Sequence, residues 1–251
     1  MDILYTICFF VLGTIMGSFY NVVGYRLPNG ESLITPRSHC PRCNHELKWY
    51  ELIPLLSFIL QGGKCRKCRE KVNIFYPCIE LLTGILFSFA FYLFGFSYNF
   101  FITIIISSLL SIVLVSDINY LIIPDEVIIV FSCLLIVINV IMLGLDKTIW
   151  HFFSGLVLFI LMFFIMKLGN YLFKKESLGG ADIKLMFLVG LIIDPLTGIF
   201  CIFLSSLLAL PISTIKVLKD RDNVIPFGPF IIIALLLIII FGINSNTLLN
   251  I

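Results

Sequence analysis

An all-α polytopic membrane protein of about eight transmembrane helices, with one small cytosolic domain between the first and second, is what the sequence predicts. Three observations carry that prediction. The 251 residues are 60% hydrophobic and only 13% charged, with a mean hydropathy of +1.09; a soluble domain carries roughly twice that charged share. Apolar runs of bilayer-spanning length recur along the chain. The basic residues gather in a few of the connections between these runs.

The runs cover about 3–25, 77–96, 99–116, 126–145, 149–169, 183–194, 197–217 and 226–243. The first begins at Asp2 without a basic lead and is too long for a cleavable signal peptide. It contains Gly13-x-x-x-Gly17, a spacing that lets helices approach closely, although ordinary glycine in a span reads equally well. The third run ends at Asp117. The fourth opens after Pro124, suited to a first helical turn, with Asp125 and Glu126 where the helix dipole favours negative charge. His151 marks the outer boundary of the fifth. The sixth is short and interrupted by glycine, and Asp182 stands at its start. Cys8, Cys78, Cys133 and Cys201 sit inside runs as small apolar residues and receive no role.

Positive charge orients the chain. Between the first and second runs lie Arg26, Arg37, Arg42, Lys48, Lys64, Arg66, Lys67, Arg69 and Lys71, which places that connection in the cytosol. Alternating from there puts Lys167, Lys174, Lys175, Lys184, Lys216, Lys219 and Arg221 inside as well. Of the 17 Lys and Arg residues, only Lys147 falls outside. The expected domains are therefore a first transmembrane helix at 1–25, a cytosolic domain at 26–76 and a membrane-embedded domain at 77–251.

The cytosolic segment carries Cys40-Pro41-Arg42-Cys43 and, after a gap of 21 residues, Cys65-Arg66-Lys67-Cys68. Two such turns supply four soft ligands for a tetrahedral zinc ion, and a reducing cytosol argues against disulfides. Four cysteines leave no open position for water, so Cys40, Cys43, Cys65 and Cys68 read as a structural site. The segment has few large aliphatic residues, and a metal staple suits so small a domain. His39 and His45 flank the first turn; either is able to replace a cysteine ligand, and placement outside the ligand set is the preferred reading.

Asp117 and Asp182 are 65 positions apart, yet the alternation brings both to the inner membrane face at similar depth. Ionisable groups at membrane depth are costly and signal function by default. Asp117 lies where the macrodipole of its own helix disfavours an anion. Asp182 follows Gly179, Gly180 and Ala181, and a plain helix cap remains an alternative for it. Lys184 points away from Asp182 around a helix and is free to snorkel to the anionic inner leaflet. Two carboxylates sharing a site cannot both ionise cheaply, so one is held as an acid and one acts as a base. Such a pair activates water without a nucleophilic serine or a metal. Neither a Ser-His-Asp pattern nor H-E-x-x-H competes.

At these residues the chain resembles the type IV prepilin peptidases, the GxGD-type membrane aspartic proteases of bacteria. The motifs, in order, are Gly17-Ser18-Phe19-Tyr20-Asn21 through Arg26-Leu27-Pro28, the two cysteine turns with Trp49-Tyr50-Glu51-Leu52-Ile53-Pro54 between them, and Tyr76-Pro77-Cys78-Ile79-Glu80. Asp117 through Asp125 and Gly179-Gly180-Ala181-Asp182 follow. The resemblance implies that Asp117 and Asp182 are the catalytic dyad. It implies prepilins or pilin-like pseudopilins as substrates, cut at the cytosolic face of the bacterial inner membrane, with the lipid bilayer as the other partner and no nucleic acid. It also implies methylation of the new N-terminus by S-adenosylmethionine, for which no glycine-rich nucleotide loop is evident. Two positions depart from the family pattern: Ala181 stands where glycine is usual, and Phe75 where arginine usually precedes Tyr76-Pro77. The rival readings are a zinc-stabilised membrane transporter or assembly scaffold using the aspartates for ion coupling, and a peptidase without methyltransferase activity. Accumulation of uncut precursor in aspartate variants, and the mass of the mature N-terminus, separate them.

Overall fold

The computed structural model describes residues 2–174, 179–219 and 226–249, and ten helices form in them. They are α1 (Asp2–Arg26), α2 (Leu56–Leu60), α3 (Phe75–Phe94), α4 (Tyr98–Tyr120), α5 (Asp125–Leu143), α6 (Leu145–Phe173), α7 (Gly180–Gly190), α8 (Pro195–Lys219), α9 (Gly228–Ile240) and α10 (Ser245–Leu249). No strand forms among the described residues beyond two isolated bridges. Lys175 and Arg221, both expected inside, lie outside the described residues, as do the side chains of Lys216 and Lys219.

All eight apolar runs fold as helices, but six of them, α1, α3, α4, α5, α6 and α8, are long and apolar enough to cross a membrane. The chain is thus a multi-pass membrane protein. At 11 and 13 residues, α7 and α9 rise about 16 and 20 Å, short of a hydrocarbon core roughly 30 Å thick. Pro124 is the N-cap of α5 instead of its first helical residue, so Asp125 and Glu126 open that helix.

The chain divides into two compact units, Met1–Val115 and Ser116–Ile251. In the first, α1 lies against α3 at backbone distance. A Cβ on Gly13 would stand 2.8 Å from the Gly84 Cα, and one on Gly17 would stand 2.9 Å from the Glu80 Cα. The Gly13-x-x-x-Gly17 spacing is therefore a packing seam. Polar groups bond across the apolar interior: the Tyr20 hydroxyl donates to Ser108 Oγ at 2.8 Å, and the Thr83 and Ser111 hydroxyls share a hydrogen at 2.8 Å. Such bonds hold helices together where water offers no alternative. The connection 27–74 is tied to this pair where the Leu55 amide donates to the Glu80 carboxylate at 2.9 Å.

In the second unit, α7 is apolar on nearly every face and buried, as a helix lacking an amphipathic stripe must be. It meets α6 glycine to glycine, a Cβ on Gly190 falling 2.4 Å from the Gly155 Cα. A short buried helix leaves terminal carbonyls that need donors. The Asn139 amide donates to the Leu191 carbonyl and the Ser154 hydroxyl to the Ile193 carbonyl, each at 2.7 Å. His151 lies inside α6 against the Gly190 and Ile193 backbone, a more specific place than a membrane boundary. Asp194 then starts α8 by accepting from the Thr197 hydroxyl at 2.6 Å.

Candidate functional site

The four cysteines of the 27–74 segment come together. Their sulfurs all lie within 4.8 Å of one another, with Cys40 3.8 Å from Cys68 and Cys43 3.9 Å from Cys65. A tetrahedron of Zn–S bonds near 2.3 Å has edges of about 3.8 Å, so the donor set fits a metal of that kind. The two turns are near copies. In the first, the Cys40 amide bonds the His45 carbonyl and the Asn44 amide bonds the Cys40 carbonyl; in the second, Cys65 bonds Glu70 and Arg69 bonds Cys65. Asn44 and Arg69 both take positive φ, 53° and 59°. Backbone amides of Cys43 and Arg42 aim at the Cys40 sulfur and lower its pKa to about 6, and those of Cys68 and Lys67 lower Cys65. Burial and the neighbouring sulfurs push Cys43 up to about 11 and raise Cys68, so without a cation the four thiols resist ionising together.

Neither histidine joins the sulfurs. His39 Nδ1 bonds the Arg37 carbonyl at 2.9 Å, and His45 Nε2 reaches Glu51 Oε2 at 3.3 Å. Glu51 is buried between the turns. It accepts from the Lys48 amide at 2.9 Å and faces Arg66 of the second turn at 3.9 Å. Arg42 and Glu70 add an ion pair linking the two turns.

The second unit holds the acid pair. Asp117, 6% exposed, lies in the last turn of α4, and Asp182, 8% exposed, is the third residue of α7. Each carboxylate is met by a backbone N–H, Asp117 by that of Gly228 and Asp182 by that of Gly179. The two acids are near enough for the Asp117 charge to act on Asp182. One Asp117 oxygen, Oδ2, has no hydrogen-bond partner among the described residues. The arrangement therefore presents buried, mutually repelling carboxylates with an acceptor to spare.

Local sequence accounts for each placement. Asp182 reaches back to the amide of its own N-cap residue, as the third-position acid of a capping box does. Gly179 serves by its small size: its φ is −70°, and a Cβ there would stand 3.2 Å from Asp182 Oδ2. Ala181 sits within the helix and needs no glycine freedom, which explains how alanine is accommodated. Phe75, the other departure, begins α3 with its amide bonded to Asn73 Oδ1. Lys184 does not simply snorkel, because its Nζ bonds both Asp125 oxygens, at 2.6 and 2.8 Å. Gly228 was not singled out from the sequence. The signal was present in Gly228-Pro229, since a proline in a first helical turn marks a helix start, where free amides await an anion.

Comparison with known proteins adds a family context. Residues 11–94 match the bacterial peptidase A24 N-terminal domain, and residues 104–214 match the type IV leader peptidase family. The chain is 34% identical over 236 residues to a prepilin leader peptidase/N-methyltransferase of Bacillus subtilis, covering 93% of each. It is 30% identical over 276 residues to one of Pseudomonas aeruginosa, covering 95% of this chain and 91% of the relative. A Vibrio cholerae relative of the same description is 29% identical over 95% of this chain and 97% of its own. No solved structure matches.

Proposed function

The chain belongs to the type IV leader peptidase family, and on that premise we propose that Asp117 and Asp182 are the dyad with which it cuts type IV prepilins and pilin-like proteins. The observation that carries the proposal is the pair itself: two buried acids in one unit, each held by a backbone amide, with the charge of one acting on the other. Repulsion favours a state with one proton between them. The ionised member takes a proton from water as the hydroxide adds to the scissile carbonyl. The protonated member gives its proton to the nitrogen as the C–N bond breaks, leaving a leader carboxylate and a new N-terminal amine.

The rest of the chain supports that chemistry. Cys40, Cys43, Cys65 and Cys68 hold a structural Zn2+, and α7 and α9, too short to span alone, join the adjoining segments to complete eight passes through the bacterial inner membrane. The basic residues then face the cytosol, and the cut is made there. The division into a first helix at 1–25, a zinc domain at 26–76 and a peptidase domain at 77–251 follows. The relatives' second named activity, N-methyltransferase, extends to this chain as methylation of the new amine, with S-adenosylmethionine supplying the methyl group.

The test is co-expression with a pilin precursor. Asp117→Asn and Asp182→Asn are each expected to lower cleavage by roughly 10²–10⁴-fold, with uncut precursor accumulating. Normal processing by both variants overturns the dyad. Mass measurement of the mature N-terminus is expected to show one added methyl, and an unmodified amine removes the methyltransferase part alone.

A further inference from the structure

We propose that the cleft at the end of α1 binds the headgroup of an anionic phospholipid. The cleft, about 740 Å³, lies within the first unit between α1 and the segment that carries the cysteine turns. Three of its lining residues are cationic, Arg26, Arg37 and Lys48, and Glu46 is its one acid. No ion pair among the described residues engages any of the three cations. Arg26 is held in place by donating from Nη1 to the Ser32 carbonyl at 3.0 Å, which leaves most of its guanidinium donors available. A planar guanidinium fork matches a phosphate oxygen pair, and a lysine adds a mobile point charge.

The apolar part of the lining says what kind of anion fits. Phe19 and Val22 belong to α1, a membrane-crossing helix whose last turn contains Arg26. The cleft thus begins on apolar side chains of a span-length helix and ends among cations at its terminus. Ile34 and Trp49, 84% and 78% exposed, stand at its rim. Tryptophan beside a span end belongs to the headgroup level of a bilayer. A soluble phosphate would satisfy the cations and leave this apolar wall in water, whereas a phospholipid satisfies both. Bound there, the lipid would hold the cysteine-bearing segment against the membrane surface.

Native mass spectrometry of the zinc-loaded full chain, exchanged from detergent into phosphatidylglycerol or phosphatidylcholine, tests this. Phosphatidylglycerol is expected to remain bound and phosphatidylcholine to be lost. Each cation near a lipid surface contributes about fivefold in affinity, so Arg26→Gln/Arg37→Gln/Lys48→Gln together should weaken retention roughly a hundredfold. The control Lys64→Gln/Lys71→Gln removes charge from the same segment outside the cleft and should leave retention unchanged. Arg37→Gln alone, whose side chain makes no ion pair among the described residues, should weaken retention about fivefold and guards against misfolding of the triple variant. Equal loss in the control means diffuse attraction and overturns the site. Retention of phosphatidylcholine means a greasy crevice, and displacement by glycerol phosphate as effective as by lipid means a soluble-anion site; either result overturns the lipid assignment.

Discussion

Asp117 ends the helix that carries it, so its own macrodipole opposes its charge, and the amide of Gly228 supplies the compensation from the opposite pole of α9. Gly228→Pro deletes that donor and, because Phe227 before it is in the αR region, also presses that residue toward extended backbone. Its expected consequence is a cleavage rate about tenfold lower with helicity retained, in line with the loss of about 1.5 kcal/mol for a hydrogen bond to a charged group. Precursor-processing kinetics beside circular dichroism would check it, and an unchanged rate would deny Gly228 a role. Glu51 shows the same logic in the cysteine segment. Burial raises its pKa, but the Lys48 amide, His45 and Arg66 outweigh burial and hold it below the usual carboxylate value. A carboxylate depressed on folding stabilises above its unfolded pKa, about 4.3, and that contribution is lost as pH falls through the lower folded pKa. Glu51→Gln should therefore release zinc more readily than the parent chain at neutral pH, and equal release by the two would deny the Glu51 charge a role in holding the turns.

Among the elements, the α1–α3 seam leaves no room for a side chain at its two glycines. Gly17→Val would drive branched carbons into the Glu80 backbone and the Thr83 side chain. Overpacking of this kind costs about 1–3 kcal/mol, and the expected readout is a lower melting temperature in detergent; an unchanged value would mean the helices part easily. The Lys184–Asp125 pair joins the N-terminal turns of α7 and α5, yet both side chains are about half exposed. Exposed pairs contribute about 0–1 kcal/mol, so Lys184→Gln should barely move thermal stability. If cleavage nevertheless falls, and exchanging the two charges restores it, the pair sets the position of α7 and not its strength. Both partners were readable as charged residues beside apolar runs. Their pairing was not, because two residues 59 positions apart meet only through tertiary packing.

For the molecule as a whole, composition and charge alternation made the membrane class, the helical runs and their order legible, and the doubled Cys-x2-Cys spacing announced the sulfur cluster. What stayed hidden was of another kind. The short, glycine-interrupted run already announced a brief α7, but α9 stops at 13 residues inside an apolar run of 226–243, and hydropathy does not encode that stop. The Gly228 amide becomes meaningful only once a distant carboxylate arrives beside it. The connection 27–74, meanwhile, leaves Ile34, Trp49, Leu56, Ile59 and Leu60 exposed and buries Cys40, Glu51 and Cys65. A segment without an apolar core depends on its cross-links. A strong chelator is therefore expected to remove about one zinc per chain and to open 27–74 to proteolysis, while fragments from 116–251 stay intact. Protease resistance without metal would mean the segment is held by other means.

Because Asp182 closes the first turn of the helix that bears it, its protonation state is also a statement about backbone order. A proton arriving on that carboxylate weakens the clasp on the Gly179 amide, and a proton leaving restores it. Amide hydrogen exchange at Gly179 thus becomes a local titration indicator, reporting the charge of an acid that no external dye can reach.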